Sequence, residues 1–173
     1  MGADGNALPR RALLLAGGLP VLLTACGFRL RGAPQLAFRT LFTSLPDTSA
    51  LGLELKRTLR SLGTVEVVSD PARQASCDVI LDVLQEQRER AIVGLNSAGQ
   101  VREVQLRLRM RFRLRTPGGK ELIADTEILQ TRDMSFSETL ALAKDAEERL
   151  LYRDMQTDTV QQLMRRLAAV KSL

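Results

Sequence analysis

Histidine and tryptophan are both missing from this sequence of 173 residues. Without histidine, the chain lacks the commonest general base at neutral pH and the commonest metal ligand in proteins. The sequence also contains no glycine-rich phosphate loop, no metal-ligand spacing and no nucleophile beside a base, and Gly118-Gly119 is typical of a turn. We therefore expect no catalytic residues, no bound metal, no cofactor and no enzyme activity.

Aromatic residues are also scarce, at 3 % of the chain, whereas the formal net charge is +5. A basic balance favours phosphates, acidic lipids or acidic protein surfaces as partners. RNA recognition usually needs aromatic side chains on which bases stack, and few are present. The composition therefore argues against a nucleic acid partner.

The first 25 residues are predicted to be a lipoprotein signal peptide. Arg10-Arg11 precede an apolar run of about 12 residues, which is shorter than the roughly 20 that a membrane-spanning helix needs. Leu23-Thr24-Ala25-Cys26 then fits the bacterial lipobox at all four positions. Cleavage before Cys26 would leave a thiol that accepts a diacylglycerol and an amino group that accepts an acyl chain. The alternative is an ordinary secretory signal with a chance cysteine, and the arginine pair leaves twin-arginine export open beside the general route.

Residues 26–35 are interpreted as an acylated N-terminus and tether, and residues 36–173 as one domain. Gly27 stands where an aspartate commonly retains lipoproteins in the inner membrane, so we expect the outer membrane, with anchoring through acyl chains. Cys77 is then the one unmodified cysteine, which excludes an intramolecular disulfide. Its position before an apolar run predicts a small buried residue.

One segment shows the clearest pattern in the chain. Apolar residues occupy every even position from Val104 to Leu114, and arginine occupies every odd position from Arg107 to Arg115. Successive side chains of a strand point to opposite faces, so the segment predicts a long antiparallel strand with an apolar face and a guanidinium face.

The other helices and strands are predicted from the period of the apolar residues, from helix-capping residues and from turn residues. A helix is predicted over about 48–62, capped by Asp47, Thr48 or Ser49 and ended by Gly63. A long helix is predicted from Leu140 to near the C-terminus. Strands are predicted at 36–45, 64–68, 78–95 and 120–132, with a polar linker up to Ser76 and a loop at 96–100. The order predicts an α+β fold in which a four-stranded, mainly antiparallel sheet carries both helices on one face.

Charge pairing suggests the register after the arginine strand. A three-residue loop, Pro117-Gly118-Gly119, would place Arg115 opposite Glu121, Arg111 opposite Asp125 and Arg109 opposite Glu127. In that register Arg107 and Arg113 have no acidic neighbour on the following strand. Asp78 and Asp82 are interpreted as solvated charges. The arginine face is therefore either a salt-bridged surface or a binding surface, and the pattern does not choose between them.

Several short segments, in order along the mature chain, resemble the LptE family of lipopolysaccharide-assembly lipoproteins. They are the segments 26–32 (Cys-Gly-Phe-Arg-Leu-Arg-Gly), Gly99-Gln100, 141–145 (Ala-Leu-Ala-Lys-Asp) and 161–167 (Gln-Gln-Leu-Met-Arg-Arg-Leu). The resemblance implies an outer-membrane lipoprotein that plugs the LptD β-barrel, supports its assembly and assists insertion of lipopolysaccharide into the outer leaflet.

The resemblance also implies basic residues that contact lipopolysaccharide phosphates. Lys144 matches one such family position, whereas Ser97 and Ala98 stand where the family has an arginine, and Arg102 is a candidate substitute. Arg107 and Arg113 of the arginine face are further candidates. The alternative is a periplasm-facing accessory lipoprotein of another envelope complex, such as a barrel-assembly or transporter subunit.

Overall fold

The computed structural model describes residues 35–173, so the predicted signal peptide, Cys26 and the tether up to Pro34 lie outside the described residues. The elements in chain order are β1 (Thr40–Thr43), α1 (Ala50–Ser61), β2 (Glu66–Val68), β3 (Val79–Leu95), β4 (Val101–Arg115), β5 (Glu121–Ser135) and α2 (Ala141–Ala169). Short 3-10 helices at Pro71–Ser76 and Glu138–Leu140 precede β3 and α2. In the described part of the chain, neither α-helix has both the length and the apolarity needed to cross a bilayer.

The strands form one mixed sheet in the order β2-β1-β3-β4-β5. The strands β3, β4 and β5 are antiparallel, while β1 runs parallel to both β2 and β3. The predicted α+β class is confirmed, but the sheet has five strands where four were predicted. The strand predicted at 64–68 is β2, which α1 carries back beside β1 as a β-α-β crossover, so all five predicted strands join the sheet. Three residues are too few for a sequence pattern to show that pairing.

The first strand is shorter than predicted and buried on both faces. It begins at Thr40, because the Asp78 carboxylate accepts hydrogen bonds from the backbone N–H groups of Arg39 and Thr40 at 2.8 and 3.0 Å. Leu41 packs under the helices, whereas Phe42 packs on the opposite face with Cys77. Phe38 packs with the helices although Phe42 does not, because Phe38 precedes β1 and does not follow its alternation of side chains. The burial predicted for Cys77 is confirmed.

Both helices lie on the apolar face of the sheet, as predicted. Apolar side chains of α1 and α2 meet those of β4 in one core, whose fully buried members include Leu51, Leu55, Leu59, Met110, Phe112, Leu114, Leu163 and Leu167. Ser49 caps α1 by accepting a hydrogen bond from the N–H of Gly52 at 2.9 Å, and Gly63 has a positive φ of 68°. A second cluster under the first half of α2 includes Leu106 and Leu108.

The hairpin between β4 and β5 begins in the predicted register, and the register then shifts along the strands. The N–H of Thr116 donates to the carbonyl of Lys120 across the three-residue loop, and Arg115 lies opposite Glu121. Two bulges in β5 then move the register by two residues, so that Arg111 lies opposite Glu127. Beyond both bulges a shift of two keeps the side chains on their predicted faces, because the side-chain period of a strand is two. Between the bulges, Ile123 instead lies opposite Leu114 on the apolar face.

Candidate functional site

The arginine face of β4 is defined as Arg107, Arg109, Arg111, Arg113 and Arg115, and each of its guanidinium groups pairs with a carboxylate from a neighbouring strand. Arg107 lies 4.0 Å from Glu89, Arg109 lies 2.7 Å from Glu127, Arg111 pairs with Asp125, and Arg113 and Arg115 lie 2.8 and 2.7 Å from Asp82. The predicted pairs Arg109–Glu127 and Arg111–Asp125 form as diagonal contacts. A salt-bridged surface is therefore the structure that this face adopts.

The partners of Arg107 and Arg113 come from β3, not from the strand that follows β4. Glu89 and Asp82 lie on β3, on the other side of β4. The predicted charge pairs came only from β4 and the strand that follows it, so these two partners were missed. The interpretation of Asp82 as a solvated charge is therefore wrong. The same applies to Asp78, which caps the start of β1.

Asp82 is the most strongly held carboxylate of the face. Its burial opposes ionisation, yet the hydrogen bonds from Arg115 and Arg113 outweigh that effect and hold the pKa of Asp82 below its ordinary value. The same hydrogen bond raises the pKa of Arg115. Because Arg113 and Arg115 both direct hydrogen bonds to one carboxylate, this part of the face stabilises the sheet.

Asp82→Asn is expected to lower the free energy of unfolding by about 1–2 kcal/mol at pH 7, since two charge-assisted hydrogen bonds are weakened. A lowered folded-state pKa stabilises the fold above the unfolded pKa of about 4 and loses that contribution as the pH falls through the folded value. The difference between variant and wild type should therefore shrink at pH 3. Urea unfolding at pH 7 and pH 3 measures this difference in the free energy of unfolding, and the exposed Asp154→Asn is the control. A loss that is equal at both pH values would contradict the role given to the Asp82 carboxylate.

The other two candidate cations, Arg102 and Lys144, lie at one end of the molecule. We call this the hairpin end; it comprises the β3–β4 loop at 96–100, the last residues of β5 and the start of α2. The backbone carbonyl of Arg102 accepts a hydrogen bond from the N–H of Phe136 at 2.7 Å. The Nζ of Lys144 donates to Ser135 Oγ at 3.0 Å and to Glu147 Oε2 at 2.8 Å. The fold thus brings to one end two cations that lie 42 residues apart in the sequence.

Lys144 is more enclosed than a solvated helix start would be. Its side chain is only 15 % exposed, and its Nζ contacts Ser135 at the end of β5. An ammonium group has three N–H donors, and two of them are used by Ser135 and Glu147. One donor remains for a ligand oxygen. Arg102, in contrast, is exposed and borders a small depression of about 250 Å³ with Gln100 and Glu138.

Large apolar side chains are exposed around the hairpin end. They come from the tip of the β3–β4 hairpin and from the start of α2, and comprise Ile92, Val93, Leu95, Leu140 and Leu142. At 86 % exposed, Leu142 is the most open of them. Clusters of exposed apolar residues commonly mark contacts with proteins or membranes. No sequence pattern singled these residues out. The exposed residues of β3 and α2 belong to elements whose other half is in the core, and Leu140 ends the short 3-10 helix before α2.

Sequence reasoning also missed a second set of cations, formed by Arg88, Arg90, Arg149 and Arg153. They line a groove between the second half of β3 and the first half of α2. The sequence signal that would have found them is at Leu84, where the alternation of apolar and polar residues in β3 breaks and the strand carries a bulge. After that bulge the even-numbered residues of β3 lie on the helix side of the sheet.

Solved structures with this architecture come from small bacterial lipoproteins. The solution NMR structure of lipoprotein B from Nitrosomonas europaea matches with a TM-score of 0.68 and 35 % sequence identity, covering 83 % of this chain and 91 % of that one. The crystal structure of rare lipoprotein B from Shewanella oneidensis matches with a TM-score of 0.62 and 25 % identity, covering 76 % and 95 %. The fold therefore defines the class as an envelope lipoprotein domain.

The family follows from the sequence comparisons. The LptE lipopolysaccharide-assembly family model matches residues 38–167. The chain is also similar to LPS-assembly lipoprotein LptE of Pectobacterium atrosepticum, with 34 % identity over 165 residues that cover 92 % of this chain and 86 % of the relative. The protein of the same name from Yersinia enterocolitica is 33 % identical over 166 residues, covering 92 % and 77 %. The chain belongs to the LptE family of lipopolysaccharide-assembly lipoproteins, which confirms the predicted resemblance.

Proposed function

We propose that this chain is an outer-membrane lipoprotein that binds and plugs an LptD-type β-barrel, supports its assembly and assists insertion of lipopolysaccharide into the outer leaflet. The observation that carries the proposal is the LptE family match over residues 38–167, which includes all five described strands, α1 and α2 except for its last two residues. An accessory role in another envelope complex has no comparable support.

The anchor in this proposal is a diacylglycerol and an N-acyl chain on Cys26. The lipobox Leu23-Thr24-Ala25-Cys26 supports the modification, and Gly27 supports sorting to the outer membrane. Acyl chains then hold the domain at the membrane surface, and the domain reaches the barrel through the tether at 26–35.

Contact with the barrel is assigned to the hairpin end. The leucines near the start of α2 and the tip of the β3–β4 hairpin form an apolar surface. No other part of residues 35–173 covers this surface. A partner that encloses this end would remove that surface from water, which favours association. The arginine face is less suited, because its charges are already paired with carboxylates of the same sheet.

The direct test is co-purification. The intact chain, carrying an affinity tag at its C-terminus, is expected to bring down a large β-barrel protein from detergent-solubilised outer membranes. Identification of that protein by mass spectrometry distinguishes an LptD-type barrel from a barrel-assembly or transporter complex. Recovery of only the latter would contradict the proposal.

Contact with lipopolysaccharide is assigned first to Lys144 and Arg102 and not to Arg107 or Arg113, which are occupied by Glu89 and Asp82. Lys144→Asp is expected to lower lipopolysaccharide affinity several-fold, because it places a like charge against phosphate groups. The loss should shrink in high salt, since charges near the surface are screened over about 8–10 Å at physiological ionic strength. Lipopolysaccharide binding by the purified chain in detergent measures it at two salt concentrations.

Lys120→Asp at the exposed β4–β5 turn is the matched control, because it makes the same charge change away from the hairpin end. Both variants should keep their helix content and still co-purify with the barrel, since one charge is a small part of a large interface. Equal affinity losses in the two variants would show an effect of net charge alone and would remove Lys144 from the lipid contact.

A further inference from the structure

The groove between β3 and α2 has a volume of about 970 Å³ and arises from one irregularity in the sheet. Before the bulge at Leu84, Val83 lies opposite Phe112 on the helix side. After it, Arg88 lies opposite Leu108 and Arg90 opposite Leu106, so the arginines share the side of these core leucines. After the bulge, Glu86, Arg88 and Arg90 therefore occupy the side that apolar residues occupy before it, and space remains between the two arginines and α2 as the groove.

The facing wall of the groove is one side of α2. Its lining residues fall between Asp145 and Gln156 at spacings of three and four, which places them on one helical face. Ala50 at the first turn of α1 closes one end. That end is held to β3, because the capping hydroxyl of Ser49 donates to Glu86 Oε2 at 2.7 Å.

The charges of the groove are unbalanced and mostly unpaired. Four arginines face two carboxylates, Asp145 and Glu148. Arg90 pairs with Glu148 at 3.3 Å, but Arg88, Arg149 and Arg153 make no salt bridge within residues 35–173. This is the reverse of the arginine face, where each guanidinium has a carboxylate partner.

The arginines of the floor are held in place by aromatic rings. The guanidinium carbon of Arg88 lies 5.2 Å from the centre of the Tyr152 ring, and that of Arg90 lies 5.0 Å from the Phe136 ring. Tyr152 is itself fixed, since its hydroxyl donates to the carbonyl of Glu89 at 2.7 Å. A guanidinium stacked on a ring keeps the N–H groups at its edge free to donate to a planar or tetrahedral anion.

Gln156 provides an independent sign of a missing partner. It lines the groove and is only 4 % exposed, yet its amide nitrogen has no hydrogen-bond acceptor in the described structure. Buried polar groups are nearly always satisfied in native proteins. An acceptor oxygen that enters the groove would supply the absent bond.

We propose that this groove binds a phosphorylated carbohydrate, with its phosphate oxygens held by Arg88, Arg149 and Arg153 and a further oxygen near Gln156. Arginine edges match phosphate oxygens in paired, charge-assisted hydrogen bonds. The groove, at about 970 Å³, has far more room than one phosphate fills, so it can accept a phosphate that is carried on a larger body such as a sugar. That body is either a lipid headgroup, in which case the inference rests on the proposed function, or a soluble phosphosugar.

Tyr152 offers a direct readout, because it is the only tyrosine of a chain that has no tryptophan. The full chain in non-ionic detergent is titrated with glucose 1-phosphate, with glucose and with lipopolysaccharide micelles while tyrosine emission is recorded. Saturable changes are expected with one or both phosphorylated probes and not with glucose. An emission that stays unchanged with both phosphorylated probes would overturn the proposal, even if calorimetry shows that lipopolysaccharide binds elsewhere.

The double variant Arg149→Gln/Arg153→Gln is expected to lose at least tenfold in affinity for the probe that binds. Arg57→Gln/Arg60→Gln on the exposed side of α1 removes the same charge and should change that affinity less than twofold. Equal losses in the two double variants would overturn the site. So would loss of barrel co-purification by the groove variant with unchanged probe affinity, because the groove would then be a protein contact.

The two sources of phosphate and the role of Gln156 are separated by further comparisons. A groove variant that loses glucose 1-phosphate but keeps lipopolysaccharide identifies a soluble ligand, whereas loss of lipopolysaccharide alone identifies the headgroup. Gln156→Leu should lower probe affinity while the melting temperature is unchanged or raised, since no other group in the structure uses its amide nitrogen. Unchanged affinity with a raised melting temperature would overturn the part assigned to Gln156.

Discussion

Phe112→Asp is expected to unfold the domain at neutral pH. Phe112 is completely buried where β4 meets both helices. Removing its ring costs about 3–5 kcal/mol, and an unpaired buried carboxylate adds several more, against a typical total stability of about 5–15 kcal/mol. Leu108→Asp should act in the same way on the second cluster, beneath the first half of α2. Far-ultraviolet circular dichroism and urea titration measure the loss.

Arg109→Ser is the matched control on the opposite face of the same strand. Its guanidinium is partly exposed and pairs with Glu127, so its removal should cost less than about 1 kcal/mol. The contrast between neighbouring positions tests the assignment of the two faces. If both kinds of substitution were equally destabilising, the assignment of faces in β4 would be wrong.

Cys26→Ala is expected to abolish lipid attachment completely, because its thiol is the proposed acceptor of the diacylglycerol. The variant should no longer incorporate a palmitate analogue and should leave the membrane fraction. Cys77→Ala is the matched control, since Cys77 is the one other cysteine and is buried in the domain. Labelling should survive in that variant. Continued labelling of Cys26→Ala would remove the lipoprotein assignment.

Local patterns predicted the elements of this fold well. The alternation of arginine and apolar residues identified β4, and the recurring apolar residues identified both helices with Ser49 among the predicted caps. These signals are reliable because the period of a strand or helix dictates which residues share a face. The same reasoning placed Phe112 and Leu108 in the core before their neighbours were known.

Pairings between distant segments were less predictable. The parallel partners of β1 and the addition of β2 to the sheet depend on how α1 packs, and a run of three residues carries no sign of it. The two bulges in β5 shifted the predicted register and moved Ile123 to the apolar face, while the faces beyond the bulges stayed as predicted. Bulges of this kind respond to twist and to packing on the helices, which no single strand encodes by itself.

The sequence by itself determined the faces of β4, the helical stripes and the three-residue turn, because each depends on covalent geometry and on residues close along the chain. Only the tertiary structure decided which cations are available to bind a ligand. It paired Arg113 with Asp82 across 31 residues, and within residues 35–173 it left Arg88, Arg149 and Arg153 of the groove without a salt bridge. A charge is neutralised by what lies within a few ångströms in space, and that distance is set by the packing of the whole sheet against α2.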